Sequence, residues 1–161
     1  MFKNKEKGDL TEQKFKEWLD KHRIPYWYIQ QDIETFSTSL KDYFCKRPDF
    51  MILIPNFGFI LVDIENKEPA RKYNKFFIDA EEAIKYSQLQ RFFNLQVWYV
   101  FSNEKYHFNT WFWIPVSKVL ELGREYKSKT NGKGYFSVSL DDLHQVASSD
   151  SLDRVFSQML K

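Results

Sequence analysis

A single cysteine, Cys45, stands in a chain of 161 residues. That excludes an internal disulfide framework and a zinc site built on a cysteine cluster. No run approaches the roughly 20 apolar residues of a membrane-spanning helix. The opening MFKNKEKGD is charged where a secretory leader would be apolar. A soluble, cytoplasmic chain with no membrane partner is therefore the expectation. Excess charge is scarce as well: 24 Lys and Arg against 22 Asp and Glu leave +2. Any polyanion would have to be held by a local patch rather than by a global field. His22, His107 and His144 lie far apart, without metal-ligand spacing. No repeat or low-complexity tract interrupts the sequence, which has the length of one domain with a substantial core.

Aromatics are abundant instead: 16 Phe, 9 Tyr and 5 Trp make up 19% of the chain. They read first as core and second as rings lining a groove where bases stack. Residues 1–8 read as a frayed lead, and Asp9 as an N-cap with Glu12 as its capping-box partner. The helix that follows runs to about Lys21 and carries Phe15, Trp18, Leu19 and His22 on one face. Glu12 shares that inward stripe. Residues 26–31 have strand character, and 32–46, with Ser37, Thr38, Ser39 and Lys41, read as a surface loop. Strands over 49–54 and 59–65 flank the turn Pro55-Asn56-Phe57-Gly58. Residues 59–62 are continuously apolar, as in a strand covered on both faces.

Next come a basic-aromatic connector at 70–77, a helix at 79–93 and a buried strand at 96–101. Strand, helix, strand at this spacing predicts a parallel crossover. A further strand at 110–116 is placed at the sheet's rim, followed by a short helix at 117–122 and a polar hairpin-like segment. A strand at 135–138 and a helix at 150–160 complete the chain. The expectation is one domain, with a core over about 8–116 and a C-terminal extension over 117–161 that carries no readable motif.

The chemistry concentrates in Arg47 to Lys67, RPDFMILIPNFGFILVDIENK. Asp63, Glu65 and Lys67 recur with period two, so a strand sends all three to one face. Mg²⁺ (or Mn²⁺) is a hard cation that takes one or two carboxylates plus water and phosphate oxygens. Asp49 and Asp63 can supply the carboxylates, and the Ile64 carbonyl a third ligand. Glu12, from the packed helix, can complete or orient the shell. Such an ion activates water and offsets charge building up on phosphorus. The bland alternative is a solvated strand end, with salt bridges to Arg47 or Lys72, and an Asp49 that merely caps a turn. Arg71, Lys72 and Lys75, interleaved with Tyr73, Phe76 and Phe77, can grip phosphate beside stacking rings or form an ordinary solvated loop.

In order, helix Glu12, then Pro48-Asp49, then an apolar strand closing in Asp63, Glu65 and Lys67, the chain resembles the PD-(D/E)XK nuclease superfamily. That is the restriction-endonuclease-like fold shared with archaeal Holliday-junction resolvases, and the resemblance covers about residues 8–101. It implies an α/β domain with a central mixed sheet flanked by helices, Mg²⁺ dependence and phosphodiester cleavage in DNA. It also implies a polar residue from the helix after the motif, for which Gln88 or Gln90 is the candidate, and pairing into a homodimer. The spelling departs from the family. One register puts Asp63 at the acid and Glu65 where lysine is expected, with Lys67 one step further along. The other, Glu65-Asn66-Lys67, restores lysine but puts a polar Asn at an apolar position and starts past the buried run. Strand burial favours the first. The alternative function is a catalytically impaired member that binds nucleic acid or a protein, including a dimerisation module with Trp111 and Trp113 in an exposed patch.

Overall fold

The computed structural model describes residues 2–159. Its organising turn is the one at 55–58. Asn56 (φ 65°) and Gly58 (φ 117°) both take left-handed backbone, which costs Asn and Gly little. The turn pairs β2 (Phe50–Ile54) antiparallel with β3 (Gly58–Asn66), Phe50 opposite Val62. On its other side β3 pairs parallel with β5 (Val97–Ser102), Asp63 opposite Tyr99. Helix α3 (Ala80–Phe93) lies in the connection, so the parallel crossover is as expected. The chain is a single α/β domain whose central sheet is mixed and six-stranded. The sheet's order is β1 (Tyr26–Tyr28), β2, β3, β5, β6 (Thr110–Pro115), β9 (His144–Ala147).

Both faces of the sheet are covered. Helix α1 (Phe2–Lys21) lays Phe15, Trp18 and Leu19 against Ile52, Val62, Trp98, Trp111 and Trp113, and α5 (Asp153–Met159) adds Val155 and Phe156 to this side. The rings interlock, Phe15 to Trp111 at 5.1 Å and Trp18 to Trp113 at 6.1 Å. Each such side chain contributes about 1.5–3 kcal/mol by burial. On the opposite face Leu61, Tyr99 and Phe112 meet α3 through Ala83, Tyr86 and Leu89, and α4 (Val116–Leu122) through Val116 and Val119. A small second sheet closes this side, in the order β4 (Lys75–Asp79), β8 (Gly134–Ser139), β7 (Arg124–Lys127).

Several elements differ from the sequence reading. The first helix begins at Phe2 rather than after Asp9, so Asp9 lies inside it and no capping box with Glu12 forms. Lys and Glu are good helix formers, and a lone Gly8 costs only ~1 kcal/mol. The first strand stops at Tyr28. The supposed loop at 32–46 contains a 3₁₀ turn, Ile33–Thr35, and α2 (Thr38–Asp42), capped by the Ser37 side chain. The basic-aromatic connector feeds directly into β4, where Phe76 and Ile78 bury inward. Strand β6 is not the rim, because β9 pairs with it, Trp113 opposite His144. Trp111 and Trp113 are buried, which removes the exposed patch expected of a dimerisation module. Leu160, placed in the last helix by the sequence, lies outside the described residues. Among the described residues no helix is long and apolar enough to cross a membrane.

Candidate active site

The β2–β3 register ends at Phe50 opposite Val62, which leaves Asp49, just before Phe50, and Asp63, just after Val62, at the same end of the strand pair. The Asp49 N–H donates to the Val62 carbonyl at 3.0 Å, one residue out of step with the ladder. The Asp49 Oδ2 accepts from Ile64 N–H at 2.8 Å. Both acids are buried, Asp49 at 8% and Asp63 at 4% exposure. They line an open recess of about 440 Å³ together with Glu12, Gln31, Lys46, Arg47, Ile64, Glu65 and Glu82. Two helices reach this recess, α1 through Glu12 and α3 through Glu82 in its first turn.

Burial is the first cause that raises the Asp63 carboxyl well above the ordinary range, and the Asp49 charge is the second. Lys46 opposes that rise, as does the hydrogen bond that Tyr86 O–H donates to Asp63 Oδ1. The other oxygen, Oδ2, is buried and has no hydrogen-bond partner. Asp49 is likewise pushed up, first by burial, against the Ile64 N–H and with the Glu12 charge adding to the rise. Glu12 is raised chiefly by burial, and its Oε2 accepts from Tyr28 O–H at 2.8 Å. An acid in this cluster is therefore expensive to ionise until a cation arrives.

Lys46 is the cation already present. Its Nζ lies 2.8 Å from Glu82 Oε1 and 3.8 Å from Asp63 Oδ1, and 5.0 Å from the centre of the Tyr86 ring. Burial pulls its ammonium pKa down, but Asp63 and then Glu82 outweigh that and push it up to about 12. At 3.8 Å, Asp63 is not locked in a tight ion pair. Arg47 faces the neighbouring segment instead, donating to the Asp32 carbonyl at 2.6 Å and to Gln31 Oε1 at 3.3 Å.

Of the residues singled out by sequence, the fold brings Glu12, Asp49, Asp63, Ile64 and Glu65 to one recess. Lys67 lies next to it but is tied to Glu65, Nζ to Oε2 at 2.6 Å. Gln88 does not line the recess, and Gln90 accepts from Val97 N–H at 3.0 Å instead. The residues that α3 sends toward the acids are Tyr86 and Glu82. Arg71 and Lys72 are exposed on the turn before β4, while Tyr73 and Lys75 line a separate recess. Sequence reasoning missed Lys46, Glu82 and Tyr86 as site residues. Tyr86 carried a usable signal: a tyrosine in an apolar helical stripe must find a partner for its hydroxyl. Lys46, three residues before Asp49 at the end of a polar stretch, carried none.

Among the described residues no three His, Cys, Asp or Glu side chains are grouped so as to hold a metal ion. The donor set that does fit is smaller: two neighbouring carboxylates, one with a buried unpartnered oxygen, and a strand carbonyl beside them. Two carboxylates are what Mg²⁺ commonly takes from protein, the remaining positions going to water and phosphate.

No family model and no curated protein matches this chain. Among solved structures it is similar to Hjc, a Holliday junction resolvase from the archaeal hyperthermophile Archaeoglobus fulgidus, with a TM-score of 0.53 and 12% sequence identity. The match covers 82% of this chain and 88% of that one. The chain has a resolvase-like, restriction-endonuclease-like fold. At that identity the likeness speaks for the fold alone.

Proposed function

We propose that this chain is a metal-dependent nuclease that hydrolyses phosphodiester bonds in DNA. The observation that carries the reading is the pair Asp49 and Asp63, buried side by side in the wall of an open recess, with Asp63 Oδ2 left unpartnered. The similar fold of a Holliday junction resolvase supports DNA as the substrate.

Asp49, Asp63 and the Ile64 carbonyl would hold Mg²⁺ or Mn²⁺. When bound, the ion supplies an activated water and offsets charge on phosphorus. The protein's own groups do the rest. Ile64 N–H fixes Asp49, and Tyr86 O–H fixes Asp63, so the two carboxylates face the recess in one orientation. Glu12, steered by Tyr28, accepts hydrogen bonds at the recess wall. Glu65 occupies the position where the family carries lysine, and Lys67 neutralises it. Lys46 supplies the positive charge that faces the carboxylates and can meet a phosphate oxygen, a role worth about 10²–10³ in rate for a well-placed electrostatic group.

A second reading has its own support. Glu65 stands in the lysine's place, and its pairing with Lys67 leaves neither group free, as expected of a descendant that kept the fold and binds nucleic acid without cutting it. The test is incubation of plasmid, single-stranded and four-way branched DNA with Mg²⁺ or Mn²⁺, beside an Asp63→Ala control. Cleavage that disappears in the control supports the nuclease. Cleavage that survives it assigns the activity elsewhere, and binding without cleavage in the wild type supports the second reading. Sedimentation of the same sample with branched DNA tests the homodimer that belongs with a resolvase-like substrate.

A further inference from the structure

The small sheet β4-β8-β7 has an inner face that packs into the core and an outer face that nothing covers among the described residues. Alternation along the strands decides which residues go where. Phe76, Ile78, Phe136 and Val138 turn inward. The outer face presents Lys75 and Phe77 from β4, Tyr135 and Ser137 from β8, and Arg124 and Tyr126 from β7, as the cross-strand register requires: Phe77 opposite Ser137 opposite Arg124, and Asp79 opposite Tyr135 opposite Tyr126. Tyr73, on the turn before β4, is exposed and closes one side of a recess of about 250 Å³ over this face.

Three features of this face point to one kind of occupant. The rings are arranged as a platform: Tyr126 stacks on Tyr135 at 5.6 Å and 18°, and Phe77 meets Tyr135 edge-on at 5.3 Å. Cations stand among them, with Arg124 5.8 Å from the Tyr126 ring centre, Lys72 5.3 Å from that of Tyr73, and Lys75 lining the recess. Carboxylates are turned away. Asp79 spends its side chain on capping α3, accepting from Glu82 N–H at 3.0 Å. Glu125 alternates to the inner side, in register with Phe136. An aromatic surface studded with positive charge, whose one carboxylate is engaged in capping a helix, suits a flexible polyanion that carries its own flat rings. A paired duplex keeps its bases stacked on one another and cannot use such rings, whereas an unpaired strand can.

We propose that the outer face of β4-β8-β7 is a binding platform for an unpaired nucleic-acid strand, in which Tyr126, Tyr135 and Phe77 stack bases while Lys75 and Arg124 hold phosphates. The platform is separate from the carboxylate recess and is joined to it through α3, whose first turn follows β4 directly and carries Glu82. The inference rests on the nucleic-acid half of the proposed function and not on cleavage.

The experiment is fluorescence anisotropy of a labelled oligothymidylate of about 12 nucleotides, a length within the usual single-strand footprint. A blunt duplex of matching length serves as the second probe, and both are titrated in EDTA so that nothing is cut. Tyr126→Ala weakens the oligothymidylate about tenfold and the duplex little, while Tyr126→Phe, which keeps the ring, binds as wild type. Lys75→Ala and Arg124→Ala each flatten the salt dependence of oligothymidylate binding by roughly 0.7 in the log–log slope. Equal oligothymidylate affinities for wild type and Tyr126→Ala overturn the platform, as does an equal loss on both probes. A Tyr126→Ala variant that sediments as a smaller species with unchanged DNA binding also overturns it, and reassigns the face to contact between two copies of the chain. Because cleavage is read separately with metal, a wild type that binds but does not cut sinks the nuclease reading alone.

Discussion

The two buried acids should leave a signature in the pH dependence of stability. Asp49 and Asp63 are both held above the ordinary carboxylate value, first by burial and then by a neighbouring charge, Glu12 for Asp49 and Asp49 for Asp63. A carboxyl raised in the folded state keeps a proton that the unfolded chain has already released. The folded state then binds more protons, and stability falls as pH rises. For Asp49 the window runs from 3.8 up to about 7. At ~1.4 kcal/mol for each pH unit, one proton retained across that window is worth on the order of 4 kcal/mol. Water entering the open recess as the acids ionise reduces this, so we expect a loss of about 2–4 kcal/mol between pH 5 and 8. For a chain of 161 residues that is a melting temperature lower by roughly 5–15 °C.

Circular dichroism melts in EDTA at moderate salt measure the effect. Glu17 and Glu68, held low by hydrogen bonds from Lys14 and Lys105, contribute with the opposite sign, but only below about pH 5, outside this window. Both are exposed, and salt screens them more than the buried pair. Mn²⁺ or Mg²⁺ competes with the retained protons, so it should restore stability at pH 8 and do little at pH 5. The double variant Asp49→Asn, Asp63→Asn should lose both the slope and the response to metal. A wild-type melting temperature that is level or rises between pH 5 and 8 refutes the reasoning, and so does a double variant with an unchanged slope.

Replacing Lys46 with Met should move two quantities in opposite directions: cleavage slows by about 10²–10³, while Mn²⁺ binds more tightly because a cation 3.8 Å from Asp63 is gone. Calorimetry and initial rates on one preparation check both, and unchanged rates would remove Lys46 from the chemistry. Tyr86→Phe takes away the hydroxyl that supports Asp63 and should cost about 1.5–3 kcal/mol in a denaturant melt at pH 8; a loss under ~0.5 kcal/mol would mean that the hydrogen bond contributes little. Trp113→Ala, which opens a hole among Phe15, Trp18 and Trp98, should cost about 3–5 kcal/mol; a near-neutral result would contradict the burial of this ring.

The elements that could be read from sequence are those whose pattern is set by burial. The inward stripe of Phe15, Trp18 and Leu19 and the turn at 55–58 follow from local periodicity and turn chemistry, whereas the doubly covered run lies at Ile60 to Ile64 and leaves Phe59 exposed at the start of the strand. Together they were enough to place Glu12, Asp49, Asp63 and Glu65 around one recess. What was not legible depends on contacts between segments far apart in the chain. Strand β4 looked like a connector because only its pairing with β8, some 60 residues on, makes it a strand. Strand β6 looked like a rim because β9 is four residues long and polar, too short to announce itself. Gln88 was drawn from the family pattern, whereas the helix's rotation about its axis, fixed by Ala83, Tyr86 and Leu89 in the core, turns Tyr86 toward the acids.

The same distinction bears on the lysine that the resemblance to PD-(D/E)XK nucleases implies. That acid-x-Lys spelling is a rule about sequence, but the proposed chemistry asks only for a positive charge near the two carboxylates. Here the strand positions cannot supply it, because Glu65 holds Lys67 at 2.6 Å and the pair is neutral. Of the two cations lining the recess, Arg47 is committed to Gln31 and the Asp32 carbonyl. Lys46 remains. It enters from the residues just before β2 and is kept in place by Glu82 of α3. The cation thus comes from outside the strand that carries the motif, and Glu82 of α3 and Asp63 of β3 hold it. Under the proposed function, Glu65 in place of a lysine therefore does not by itself imply an inert site. On that same proposal, the charge at Lys46, and what holds it there, is the quantity that would separate cutting from binding alone.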